Sequence, residues 1–173
     1  MPWPRVRPAP RKPSSPSPTA CWKPDADPDH ADAKVLIAAL SQRLAAITGS
    51  SGQASFDEDD VRGAGAAFLL ARDEQGRAIG CGALRPLQPG VAEIKRMYAG
   101  VAGRGVGSAV LAALEAKAKS LGYGEIRLET RRVNTLAVRF YLRAGYREIP
   151  PYGLYVGRPE AVCFAKPIGS TSA

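Results

Sequence analysis

The 173-residue sequence predicts one mixed α/β domain: a central, mostly antiparallel sheet of about six or seven strands, flanked by helices on both faces. Three observations carry this. Three strand-type runs follow one another across two short turns in the middle of the chain. Two segments with helical apolar spacing follow them, separated by another strand-type run. A third such helix precedes them all.

Taken in order, residues 1–18 hold seven of the fifteen prolines, four basic groups and no acid. That composition cannot bury a core and reads as a disordered tail, leaving residues 19–168 as the single domain and 169–173 as a disordered end. A short strand is expected around Ala20–Lys23, ended by the turn cluster PDADPD. Val35, Leu36, Ala39, Leu40, Leu44 and Ile47 then predict an amphipathic helix over about 32–47. FDEDDV reads as a helical turn with acids at its positive end. AAFLLARDE, AIGCGALRPL and VAEIKRMYA form the antiparallel meander, joined by turns at EQGR and QPG. A helix is predicted over about 105–121, with Val106, Val110, Leu114 and Ala118 as its buried stripe and Gly122 as its stop. EIRLET is a further strand, and a second helix is predicted over about 134–144 with Ala137, Phe140, Tyr141 and Ala144 on one face. A short strand near 146–148 and a last one at AVCFAKP close the chain.

Composition excludes several classes. Hydrophobic residues make up 45% and charged residues 23%, a globular balance, and no apolar run reaches the ~18 residues of a membrane span. Cys21, Cys81 and Cys163 form no CxxC pair and, with the single His30, no zinc spacing, so no metal is expected and the thiols read as reduced in a cytoplasmic protein. His30 reads as a surface residue. The net charge of +8 is uneven: residues 63–173 carry sixteen basic and eight acidic groups, whereas residues 19–62 carry four basic and eight acidic. A basic C-terminal part suits an anionic partner, either nucleic acid or a phosphorylated cofactor.

The junction RMYAGVAGRGVGSAVL carries the chemistry. Gly103, Gly105 and Gly107 let the backbone curl between a strand and a helix and turn successive N–H groups outward. With the helix's positive end and Arg104 they make a cradle for a pyrophosphate. A dinucleotide fingerprint needs a third glycine where Ser108 stands, and a Walker loop needs Gly-Lys-Ser/Thr, which is absent.

The sequence resembles the GNAT superfamily of acyl-CoA-dependent N-acetyltransferases over roughly residues 20–168. Gly105 and Gly107 fit the last two fixed positions of its pattern Gln/Arg-x-x-Gly-x-Gly/Ala, and NTLAVRFYLRAGY is similar to its second marker. In that frame Ala102 departs from the first position, with Arg104 supplying charge from inside the turn. The resemblance implies an acyltransferase that moves acetyl from acetyl-CoA, its cosubstrate, to an amine of a small molecule or peptide by direct attack in a ternary complex. It also implies that the end of strand RMYA splays from EIRLET to admit the pantetheine arm. Met97, Tyr98 and Ala99 would offer backbone partners, with one N–H aimed at the thioester oxygen. Gly103, Arg104, Gly105, Val106, Gly107 and Ser108 would hold the pyrophosphate, and Asn134 the pantetheine. Tyr141 would be the general acid, since a phenol can protonate a departing thiolate whereas Phe140 cannot.

Glu93 is the candidate base, in a strand otherwise tending to apolar residues; the plain alternative is a pairing with Lys95. Glu129 is a second candidate. Tyr152 and Tyr155 are expected to wall an acceptor pocket, and Asp57–Asp60 either attract a cationic amine or form a solvated helix start. Family members often pair as homodimers, no membrane partner is expected, and nucleic acid is disfavoured by the lack of aromatics among the basic residues. A non-catalytic acyl-CoA sensor and a basic regulatory module binding nucleic acid are the competing readings.

Overall fold

A computed structural model describes residues 21–23 and 26–169. Its elements are β1 (Cys21–Lys23), α1 (Ala31–Thr48), β2 (Ala67–Arg72), β3 (Ala78–Gln88), β4 (Val91–Ala99), α2 (Val106–Ser120), β5 (Glu125–Arg131), α3 (Thr135–Arg143), β6 (Arg147–Ile149) and β7 (Ala161–Pro167). Single 3-10 turns occupy Gln53–Ser55, Glu58–Val61 and Gly153–Tyr155. Residues 1–18 and 170–173, and Ala20 of the first expected strand, lie outside the described residues, while Gly169, expected in the C-terminal tail, donates its N–H to the Gly124 carbonyl at 3.0 Å.

The seven strands lie in the order β1-β2-β3-β4-β5-β7-β6. Every neighbouring pair is antiparallel except β4 and β5, which run parallel with α2 as their crossover. Strand periodicity sorts the core into two layers. Leu69, Ile79, Leu84, Ile94, Ile126, Leu128 and Phe164 face α2 and α3, where Val106, Val110, Leu114, Ala118 and Tyr141 meet them. Phe68, Leu70, Cys81 and Ala83 face the other way, against Ala33 and Leu36 of α1. Helices therefore cover both faces, as expected.

The stripe read on α2 is buried in full, and Gly122, at φ 86, follows its end. On α1 the expected stripe is partly wrong. Val35 is 67% exposed and Ile47 also points outward, because the buried line runs through Ala33, Leu36, Leu40 and Ser41. His30 is more than a surface residue: its Nδ1 accepts the Asp32 N–H at 3.2 Å and caps α1. Two glycines of β3 set the seating of α2. A Cβ on Gly80 would lie 2.9 Å from Val106 Cγ1 and 3.0 Å from the Tyr98 carbonyl oxygen, and one on Gly82 would lie 2.6 Å from Leu114 Cδ1.

Candidate active site

A slot opens in the middle of the sheet. β4 and β5 pair only at Val91–Glu125, Ala92–Ile126 and Glu93–Arg127, yet β4 runs on to Ala99 and β5 to Arg131. β3 stays on the outer side of β4 to Ala99, and β7 stays on the outer side of β5 to Arg131. The inner edges beyond Glu93 thus present backbone groups with no strand between them, which an extended amide-bearing chain can pair with. A β-bulge bends β4 at this point. Two steps on β3, Cys81 to Ala83, oppose three on β4, Lys95 to Tyr98, and Arg96 takes φ 51. As a result Lys95 and Arg96, although consecutive, both reach the α1 side: Lys95 toward Ser55 and Tyr155, Arg96 toward Ser41, Ser51 and Phe56.

At the end of β4 the chain enters the glycine turn. Gly103 (φ 72) and Gly105 (φ 71) both sit in the left-handed region, and a Cβ on either meets nothing within 4 Å. Conformation, not space, requires glycine there. Gly105 caps α2 without a side-chain hydrogen bond, so the first N–H groups of the helix keep their donor capacity beside Arg104, which is exposed and makes no ion pair among the described residues. In the frame read from the sequence, Gly105 is the N-cap of α2 and Gly107 its second residue. Moved on by two residues, the same pattern runs Arg104-Gly105-Val106-Gly107-Ser108-Ala109 and is met at every fixed position. Gly107 and Ala109 then lie in the first turn of α2.

Tyr141 projects from α3 toward the α2–α3 side of the slot. Its hydroxyl lies 3.8 Å from Met97 Sδ, and its ring packs edge-on against Phe140 at 5.2 Å and Tyr146 at 5.7 Å. Burial pushes the phenol above its ordinary range, so it holds its proton at neutral pH. Asn134 stands between β5 and α3 as the cap of α3, accepting the Ala137 N–H at 3.4 Å.

The α1 side of the slot holds a network of charge. Glu93 is 1% exposed; its Oε2 accepts from Arg85 Nε at 2.9 Å and Nη2 at 2.8 Å, and its Oε1 accepts from the Tyr152 hydroxyl at 2.9 Å, with Lys95 Nζ at 3.6 Å. Lys95 Nζ also donates to the Tyr155 hydroxyl. Burial pulls the Lys95 ammonium below its ordinary range, against the opposing pull of Glu93. Glu129 differs. It faces the same side from β5, its Oε1 is buried without a hydrogen bond, and its nearest cation, Arg131 Nε, is 3.7 Å away. Burial raises its carboxyl above the usual range.

Met97, Tyr98 and Ala99 thus lie on the unpaired end of β4, with Tyr141 against Met97 and the turn Gly103 to Ser108 following; Asn134 follows the end of β5, and Glu93 and Glu129 face the α1 side. Tyr152 and Tyr155, expected as acceptor-pocket walls, stand together on the α1 side: their rings lie 5.4 Å apart edge to face and their hydroxyls meet Glu93 and Lys95. The acidic run is not a cation trap. Asp57 caps the turn Glu58–Val61, Asp59 pairs with Arg62, and Asp60 pairs with Arg85. Arg85 and Arg96 were missed. The signal for Arg96 is Lys95-Arg96 itself, two adjacent charges in an apolar strand, where strict alternation would send one of them into the α2 core. Among the described residues no helix is long and apolar enough to cross a membrane, and no group of three or more His, Cys, Asp or Glu could hold a metal ion.

Comparison with known proteins bears on the family and the fold. A model of the Acetyltransferase (GNAT) family matches residues 33–146. A Klebsiella pneumoniae protein bearing the provisional name acyl-CoA N-acyltransferase superposes with a TM-score of 0.73 at 30% identity, covering 87% of this chain and 99% of that one. An uncharacterized N-acetyltransferase of Schizosaccharomyces pombe is 39% identical over 88 residues, 49% of this chain and 54% of that protein. An IAA acetyltransferase of Azospirillum brasilense is 31% identical over 104 residues, 58% of this chain and 67% of that protein. The match thus spans about half the length of the yeast relative.

Proposed function

Because the chain belongs to the Acetyltransferase (GNAT) family, we propose that it transfers an acetyl group from acetyl-CoA to an amine of a small molecule or peptide in one ternary complex. The observation that carries the reading is the slot: pairing between β4 and β5 ends at Glu93–Arg127 although both strands continue. An amide-bearing arm fits between those edges, and the glycine turn lies where its phosphates would fall.

The roles follow from position. The backbone of Met97 to Ala99 binds the arm and directs an N–H at the thioester oxygen, a contact of the kind that contributes on the order of 3 kcal/mol. Arg104 and the amides of Gly103 to Ser108 bind the pyrophosphate, with Ala109 giving room in the helix's first turn. Asn134 borders the arm from the start of α3. Tyr141, kept protonated by burial, gives its proton to the leaving thiolate from the α3 side. The amine attacks from the α1 side, so that proton donor and proton acceptor stand on opposite faces of the slot. Of the two carboxylates on that face, Glu129 suits the base better. Three groups converge on Glu93, two of them by hydrogen bonds, whereas Glu129 Oε1 accepts no hydrogen bond, has only Arg131 Nε at 3.7 Å, and its carboxyl is more basic than usual. Glu93 is the strut that holds Arg85, Tyr152 and Lys95 in place. Buried, unbridged Cys81 and Cys163 suit a reducing compartment, and we place the enzyme in the cytoplasm.

Calorimetric titration with acetyl-CoA, followed by a thiol-release screen of amines, tests the reading. Binding and acceptor-dependent thiol release are expected. Absence of binding by any acyl-CoA at millimolar concentration refutes it.

A further inference from the structure

Arg96 has no role in the chemistry above, and its surroundings are unusual. Only 9% of the residue is exposed, at the bulge that opens the slot and one residue before Met97. Nη1 donates to the Ser51 carbonyl at 3.0 Å and to Ser41 Oγ at 3.4 Å, and the guanidinium lies over the Phe56 ring at 5.3 Å. Those contacts hold one corner of the fork and its face. The opposite edge is unmatched: Nε is buried with no hydrogen-bond partner, and Nη2 has none among the described residues. No carboxylate pairs with this cation among the described residues, although the other buried charges of this face, Glu93 and Lys95, are paired.

An uncompensated buried guanidinium is destabilising, and a buried donor without an acceptor is rare in a native fold. The Nε–Nη2 edge is the one that takes a planar or tetrahedral oxyanion in two parallel hydrogen bonds. It is also remote in role from the phosphate cradle: Arg96 serves the α1 face, whereas the glycine turn leads into α2 on the other face. The loop from Gly49 (φ 75) through a second left-handed glycine, Gly52 (φ 71), to Phe56 lies against Arg96, which it meets at the Ser51 carbonyl and the Phe56 ring.

Resting on the acyltransferase reading, we propose that the acceptor is an amine carrying its own oxyanion, a carboxylate or a phosphate group, and that Arg96 binds that group through Nε and Nη2. Its amine then reaches the thioester over Met97 while Glu129 faces it from β5. An acidic tether on the acceptor supplies the charge that this face lacks, and selects such amines from simple alkylamines.

The test uses the full chain and matched acceptors. Acetyl-CoA binding is measured first by calorimetry. Thiol release is then compared among free amino acids, their carboxamides, the corresponding alkylamines, and aminoalkyl phosphates or phosphonates. An oxyanion-bearing class is expected to exceed its neutral counterparts in kcat/KM by about a hundredfold, the scale of one bidentate charge-assisted pair. The carboxylate and phosphate arms identify which oxyanion it is. In Arg96→Gln the preference is expected to collapse through KM, with kcat and acetyl-CoA affinity near wild type; Arg96→Lys, which keeps the charge, recovers part of it. Equal or better turnover of the neutral amines by the wild-type protein overturns the proposal and leaves the acyltransferase reading intact. Failure of acetyl-CoA to bind overturns both.

Discussion

Replacing Tyr141 by Phe separates a chemical role from a structural one unusually well. The ring would keep its packing against Phe140, Tyr146 and Phe164, at 5.2, 5.7 and 6.1 Å between centroids. The hydroxyl has only a thioether near it, Met97 Sδ at 3.8 Å, and sulfur is a weak acceptor. Loss of such a contact changes stability by about 1 kcal/mol or less. Loss of a general acid lowers the rate by about 10²–10⁴-fold, which at ~1.36 kcal/mol per decade is roughly 3–5 kcal/mol of barrier. The two magnitudes differ enough to be told apart. Tyr141→Phe should therefore melt within a few degrees of wild type and bind acetyl-CoA with unchanged affinity, while kcat for thiol release falls at least about a hundredfold. A kcat within about threefold of wild type would remove Tyr141 from the mechanism and return it to the core of α3.

Other expectations follow from the same geometry. Glu129 must be ionised to accept a proton, and burial raises its carboxyl, so kcat/KM should decline toward acid with a midpoint above 4.5; the acid limb should be absent from what activity Glu129→Gln retains. The same shift carries a stability term of definite sign: a folded-state value above the unfolded one contributes stability that is complete below about 4.5 and is lost as pH rises through the folded value. Relative to Glu129→Gln, the wild-type protein should lose denaturant stability across that interval. Gly80→Ala places a methyl 3.0 Å from the Tyr98 carbonyl and 2.9 Å from Val106, and should lower unfolding free energy by about 1–3 kcal/mol in urea melts. Cys81 is fully buried with its thiol pushed up to about 12, so mass mapping after thiol labelling should find it unmodified until the protein unfolds.

Much of this was legible in the sequence, for identifiable reasons. Meander, crossover and C-terminal strands declare themselves through alternation and turn residues, and the stripe of α2 through its strict spacing. Tyr141 and the glycine turn could be proposed from the sequence because the patterns that carry them are local in the chain. What escaped depends on contacts between distant segments. Val35 was assigned to the buried face of α1 because an apolar residue carries no mark of which neighbours its helix meets. Asp60 was available as an amine trap until folding brought Arg85 to it. For Glu93 the sequence offered a base or a pairing with Lys95, but not Tyr152, which closes over it from fifty-nine residues further on.

The bulge at Arg96 has a consequence for how β4 can change. Up to Lys95 the odd-numbered residues face α1; from Arg96 onward the even-numbered ones do, so that Glu93, Lys95, Arg96 and Tyr98 share one side, and Ile94, Met97 and Ala99 the other. The strand is two half-strands in antiphase, joined at a single residue. Regularising that residue's backbone while keeping it in the strand would not merely straighten the strand. It would exchange the two faces of everything beyond it, presenting Met97 to the acceptor side and Tyr98 to Tyr141. One inserted residue thus serves as a phase marker that keeps donor chemistry and acceptor recognition on separate faces of the same strand.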